Sequence, residues 1–226
     1  MSESSPQPRW KRPYAIACVV LVAGLLVGGL VVRLTTSSAP SRPECSAASE
    51  RLSGVWDEQV RAQVNAAFSR NKMVTRADAL DEYARQWARA HATSCRAGGE
   101  LSAARAECLT ERRDGLAALT LLLARADKAV LANATKLTAG LAPVGQCEEA
   151  AYLRSLPKPP TDPELARRSR ELRARLRYVL TLFRAGKHAD ASAALTELLP
   201  EASKTGYAPI EAYARRVADE IKQRQR

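Results

Sequence analysis

The sequence predicts an all-α protein: one N-terminal transmembrane helix, then an antiparallel helical domain that ends in a helical hairpin. Three observations carry that prediction. Tyr14 to Val32, YAIACVVLVAGLLVGGLVV, run for 19 residues without a charge. Beyond them apolar residues recur at three- and four-residue spacing, the period of a helix with one buried face. Of the five cysteines, Cys45, Cys95, Cys108 and Cys147 all lie past the apolar run, and only Cys18 lies within it.

The apolar run, extended to residues 14–34, has the length of a membrane span. A helix rises about 1.5 Å per residue and needs roughly 20 apolar residues to cross a bilayer. The hydrophobic region of a signal peptide is shorter, about 7–15 residues. Ser37-Ser38-Ala39 has the form of a cleavage site, but Pro40 follows directly and opposes cleavage. A buried core helix would be amphipathic, whereas this run is apolar all round. Arg9, Lys11 and Arg12 precede it, Trp10 and Tyr14 suit the interface, and Arg33 alone follows closely. The positive-inside rule then makes residues 1–13 a cytoplasmic stub and places the rest outside the cytoplasm. Gly24 and Gly28 lie four apart on the span, a small-residue face through which two helices can pack.

The cysteine count fits that topology. Four cysteines in an oxidising compartment point to two disulfides, with four buried thiols as the alternative. The expected pairing is Cys45 with Cys95 and Cys108 with Cys147, each joining an irregular segment to a helix end. No C-x-x-C occurs, and the chain has two histidines, so a zinc site is weakly supported. The net charge is +11, with 35 basic residues against 24 acidic ones. Charges of both signs are mixed along every predicted helix, which reads as a solvated surface. An extracytoplasmic location argues against nucleic acid as a partner.

The elements follow in order. Residues 35–44 are Ser/Pro-rich and read as a linker. A helix is expected over 46–70, with Leu52, Val55, Trp56, Val60, Val64 and Phe68 on one face. A second is expected over 76–97, with Thr75-x-x-Asp78 as a capping box and Leu80, Tyr83, Trp87 and His91 facing inward. Trp56 and Trp87 are expected to anchor the core. Gly98-Gly99 ends the second helix, and Ser102 signals the start of a third. A fourth helix, or a bent continuation of the third, over 126–140 and a short one in CEEAAYLRSL complete a cysteine-bearing domain, 45–156.

Residues 157–163, within PKPPTDP, form a second linker. Residues 164–226 then hold helices over 164–184, 189–199 and 208–225, with the turn Gly186-x-x-x-x-Ala191 between the first two. The period, about 37 residues, is close to that of tetratricopeptide repeats, although an ordinary helical hairpin has the same spacing.

No motif for chemistry stands out. AGKHAD lacks the upstream glycine and the Ser/Thr of a phosphate loop. Kinase loops and a nucleophile elbow are absent from the sequence. Cys95 and His91 lie four apart on one helix, an arrangement that a disulfide cysteine near a histidine explains. The carboxylates Asp78, Asp81 and Glu82, and the pair Glu148 and Glu149, sit among arginines as solvated faces. Asn133-Ala134-Thr135 matches a glycosylation sequon but falls within an expected helix. No metal, cofactor or catalytic residue is expected.

The combination of Cys45, GVWD from Gly54 to Asp57, LDEYARQWARAHATSC from Leu80 and CLTERRDGLAALTLLLARAD from Cys108 resembles a known family. It is similar to the region just outside the membrane helix in myxobacterial transmembrane serine/threonine protein kinases. The resemblance covers residues 14–215. It implies a bacterial inner membrane, a periplasmic C-terminal domain and tetratricopeptide-like repeats. It does not extend to a kinase domain, because only about 13 residues precede the span. The chain therefore looks like the sensor portion alone, or a truncated relative.

The expected function is a membrane-anchored interaction or sensor module without catalysis of its own. Its expected partner is a protein or peptide in the cell envelope. Self-association, or pairing with a kinase, would run through Gly24 and Gly28. Two other readings remain: a degenerate or fragmentary member of the kinase family, and a structural envelope protein that binds an anionic polymer.

Overall fold

In a computed structural model, residues 50–74 and 77–224 are described, and they hold nine α-helices and no strand. All of them belong to one compact unit, Glu44–Arg226. The expected span 14–34, with Gly24, Gly28 and Cys18, lies outside the described residues, as does Cys45. No helix among the described residues is long and apolar enough to cross a membrane.

The first expected helix is broken. A 3-10 turn, Glu50–Leu52, precedes a bend at Gly54, and the α-helix α1 covers only Glu58–Arg70. Asp57 causes the break. Its carboxylate accepts from Val60 N at 2.8 Å, which satisfies an orphan donor at the helix start, and from Gly54 N at 2.6 Å in the preceding turn. Val55 and Trp56 are buried all the same, from a turn rather than a helix face. At the other end Lys72 takes a left-handed conformation, and Met73 N donates to Phe68 O at 3.0 Å.

Helix α2, Asp78–Ala97, buries Leu80, Ala84, Trp87 and Ala90 and ends at Gly98 and Gly99, both with positive φ. Its N-cap is Ala77, with no side-chain bond, so Asp78 is the first helical residue and cannot serve as the third position of a capping box. Helix α3, Ser102–Ala124, starts at Ser102 as expected, but Ser102 is its first helical residue rather than its cap; the N-cap is Leu101, without a side-chain bond. It buries residues on several sides because it packs against α1 and α2 as well as later helices.

The expected helix over 126–140 is two short ones, α4, Lys128–Ala132, and α5, Ala134–Ala139. Asp127 caps α4 by accepting from Val130 N at 3.0 Å. At the junction, Asn133 Nδ2 donates to Ala129 O at 3.1 Å, a local bond that competes with helix propagation. A 3-10 turn, Val144–Glu148, leads to α6, Ala150–Ser155.

Three longer helices complete the chain: α7, Pro163–Arg184; α8, His188–Ser203; and α9, Ala208–Arg224. Asp162 accepts from Leu165 N at 2.8 Å, and Pro163 occupies the first turn, where its missing N–H costs nothing. Gly186, with φ +85°, turns the chain into α8. Helix α8 runs through Pro200 rather than stopping at 199. Tertiary contacts hold that last turn: Ala202 is buried, and Glu201 receives two bonds from Arg175, at 2.6 and 3.1 Å. Helix α9 packs on both α7 and α8, and α7 packs on α3. The core thus runs unbroken past residues 157–163, from Trp87 and Leu116 to Leu176, Leu198 and Ile210.

Candidate functional site

The longest helices leave a cleft of about 560 Å³ between them. Helix α7 supplies Arg177, Leu180, Thr181 and Arg184, spaced i, i+3, i+4 and i+7. Helix α9 supplies Tyr213, Arg216, Val217 and Glu220 at the same spacing. One helical face from each therefore borders the cleft, with Val217 itself buried. Helix α3 adds Glu111, Arg112, Gly115 and Leu119, and residues 136–142 close the side.

Gly115 lies against the Arg177 stem: a Cβ there would stand 3.5 Å from Arg177 Cδ, an ordinary van der Waals contact, so alanine fits at this position. A mid-helix glycine costs about 1 kcal/mol relative to alanine.

Arg112 is 3 % exposed and has no carboxylate partner among the described residues. Its guanidinium donates to Pro143 O, Gln146 Oε1 and Tyr152 Oη, each at 3.0 Å. It pins the 143–152 segment to α3. Beside it, Tyr83 Oη donates to Ala142 O at 2.9 Å, and burial pushes the phenol up to about 12. Burial also raises the Tyr213 phenol.

The cleft carries five cations, Arg112, Lys136, Arg177, Arg184 and Arg216, against two carboxylates. Both carboxylates are engaged. Glu111 lies 2.7 Å from Arg173 Nη1, and Glu220 lies 3.1 Å from Arg184 Nη2. Arg177 reaches Glu111 only at 3.8 Å, and its buried Nε has no hydrogen-bond partner. Arg216 stacks over Tyr213 at 5.8 Å. Neither Lys136 nor Arg216 makes an ion pair among the described residues.

Other residues singled out from sequence lie elsewhere. Cys108 and Cys147 form a disulfide that ties α3 to the 144–148 turn. Cys95 is also disulfide-bonded, and its expected partner Cys45 lies outside the described residues. Trp56 is 6 % exposed and donates to Asp81 Oδ1 at 2.8 Å; Trp87 is 2 % exposed and donates to Leu109 O at 2.7 Å. His91 stacks on Trp87 with ring centroids 5.0 Å apart, and burial lowers its basicity. Asp81 pairs with Arg61, and Glu82 with Arg85 and Arg89. No group of three or more metal-ligating side chains occurs among the described residues.

Sequence reasoning missed the cleft. Its signal lay in the polar row Arg177, Thr181 and Arg184 beside the apolar stripe of α7, a row that reads as ordinary surface until α3 and α9 flank it. No family model, no curated protein and no solved structure matches the chain.

Proposed function

We propose that the chain is a single-pass, N-in membrane protein whose extracytoplasmic helical domain is a binding module with no catalysis of its own. The observation that carries this reading is the cleft, which matching faces of α7 and α9 line between them. The mutual packing of α7, α8 and α9 supports a tetratricopeptide-like arrangement at the C-terminus. The Cys108–Cys147 disulfide supports an oxidising, extracytoplasmic location. The charge-free run at 14–32 supports the anchor, and Gly24 and Gly28 offer a face for pairing with a second copy or with a kinase. Part of the basic surface is neutralised by carboxylates, as in Arg167 with Glu164 and Glu171.

The test is photo-crosslinking in the native envelope. A benzophenone amino acid replaces Leu180, in the cleft, or Thr196, exposed on α8. Adducts from position 180 and none from position 196 are expected. Equal labelling from both, or none from 180, would remove the cleft as the binding surface. ATP turnover by the purified chain would favour the kinase reading instead.

A further inference from the structure

We infer that the cleft takes a small organic anion: one oxyanion head, of the carboxylate class, on a compact apolar body. This deepens the binding-module reading and rests on it. The head is set by charge. Five cations face two carboxylates, and both carboxylates already have partners. Arg177 is left incompletely matched, with its Nε unpartnered and Glu111 at 3.8 Å. A buried donor without a partner is destabilising, and an oxyanion in the cleft gives the guanidinium the partner it lacks. Lys136 and Arg216 stand exposed at the rim as further cations. A cationic ligand would meet the opposite of complementarity.

The body is set by size and lining. A volume near 560 Å³ is in the range of pockets for small organic ligands and far exceeds one inorganic ion. Leucines and a valine alternate with the charged residues, as Leu137 and Leu180 do, so the walls offer apolar contact between the charges.

The experiment uses the full chain in lipid nanodiscs, with empty nanodiscs as the blank. Isothermal titration with 2-naphthoate is compared with the neutral 2-naphthamide, the cationic 2-naphthylmethylammonium and inorganic phosphate. One naphthoate per chain is expected, bound at least about ten-fold tighter than the amide. The ammonium and phosphate are expected to bind weakly or not at all. The double variant Lys136→Glu, Arg216→Glu alters only exposed side chains and should keep its thermal unfolding midpoint. It should lose about ten-fold or more in naphthoate affinity. Equal affinity for naphthoate and naphthamide, phosphate as tight as naphthoate, or unchanged affinity in the double variant would each overturn the inference. Cleft-specific crosslinks in the envelope without naphthoate binding would reject the ligand class and leave the binding module standing. Loss of both would reject the two together.

Discussion

Two regions of one core are held by different means. From α1 to α6 the chain is irregular. Three of the six helices have five or six residues, one 3-10 turn precedes them and another interrupts them, and the 140–156 stretch has little regular structure to bury. Here the apolar core is supplemented by covalent and buried polar fastenings of the irregular segment: the Cys108–Cys147 disulfide and the Arg112 guanidinium on three acceptors. From α7 to α9 the helices are 16 to 22 residues long. Apolar stripes do the holding there, through Leu172, Leu176, Leu195, Leu198, Ile210 and Val217. A long amphipathic helix buries enough surface to fix itself, whereas a short one needs a pin.

Breaking the disulfide should give the largest effect. The cysteines are 39 residues apart, and closing a loop of that length stabilises by about 4 kcal/mol in the chain-entropy account. Urea unfolding of Cys108→Ser, Cys147→Ser should show a loss of that order. Hydrogen exchange should rise first in 140–156 and leave α7 to α9 protected. Uniform loss of protection would erase the contrast between the regions.

Arg112→Met should come next, at about 3 kcal/mol, because it strands three buried acceptors. Arg112→Lys should rescue little, since an ammonium lacks the planar fork that spans them. Chemical denaturation of the two variants checks both statements, and full rescue by lysine would show that charge alone matters there.

In the second region the order reverses between core and surface. Leu198→Ala should cost about 3 kcal/mol through the cavity it leaves. Arg184→Gln, which removes a largely exposed pair with Glu220, should cost under about 1 kcal/mol. A larger loss from Arg184 than from Leu198 would mean that ion pairs rather than stripes hold α7 to α9.

The smallest effect is a pH dependence confined to the first region. Burial, with a smaller contribution from Arg51, lowers the basicity of His91 below its ordinary value of 6.5. The unfolded chain then binds the proton more readily than the folded one. Stability from this group is complete above 6.5 and falls as pH drops through the folded value. Between pH 7 and pH 5 the wild type should lose stability, and His91→Phe, which keeps a ring against Trp87, should lose less. An identical pH profile in the two proteins would remove His91 as the cause.

The sequence was most legible where long periodic stretches had clear stops. Helix α7 begins and ends within a residue of expectation, because Asp162-Pro163 and Gly186 are strong local signals. Errors gathered where a side chain competes with the helix, as Asp57 and Asn133 do, or where packing overrides a breaker, as it does at Pro200. Arg112 and Arg177 look in sequence like any other arginine, and only the elements packed around them separate a pinned buried cation from an unmatched one.

By itself, then, the sequence determined the helical class, the order of the elements and the cysteines that lie beyond the apolar run. These follow from periodicity, turn residues and residue type, all of which are local. Tertiary structure alone decided that α3 is the central helix, that Arg112 is buried on neutral acceptors, and that α7 and α9 turn matching faces onto one cleft. Those outcomes depend on which surfaces meet across 30 to 100 residues of chain, and no local pattern encodes that.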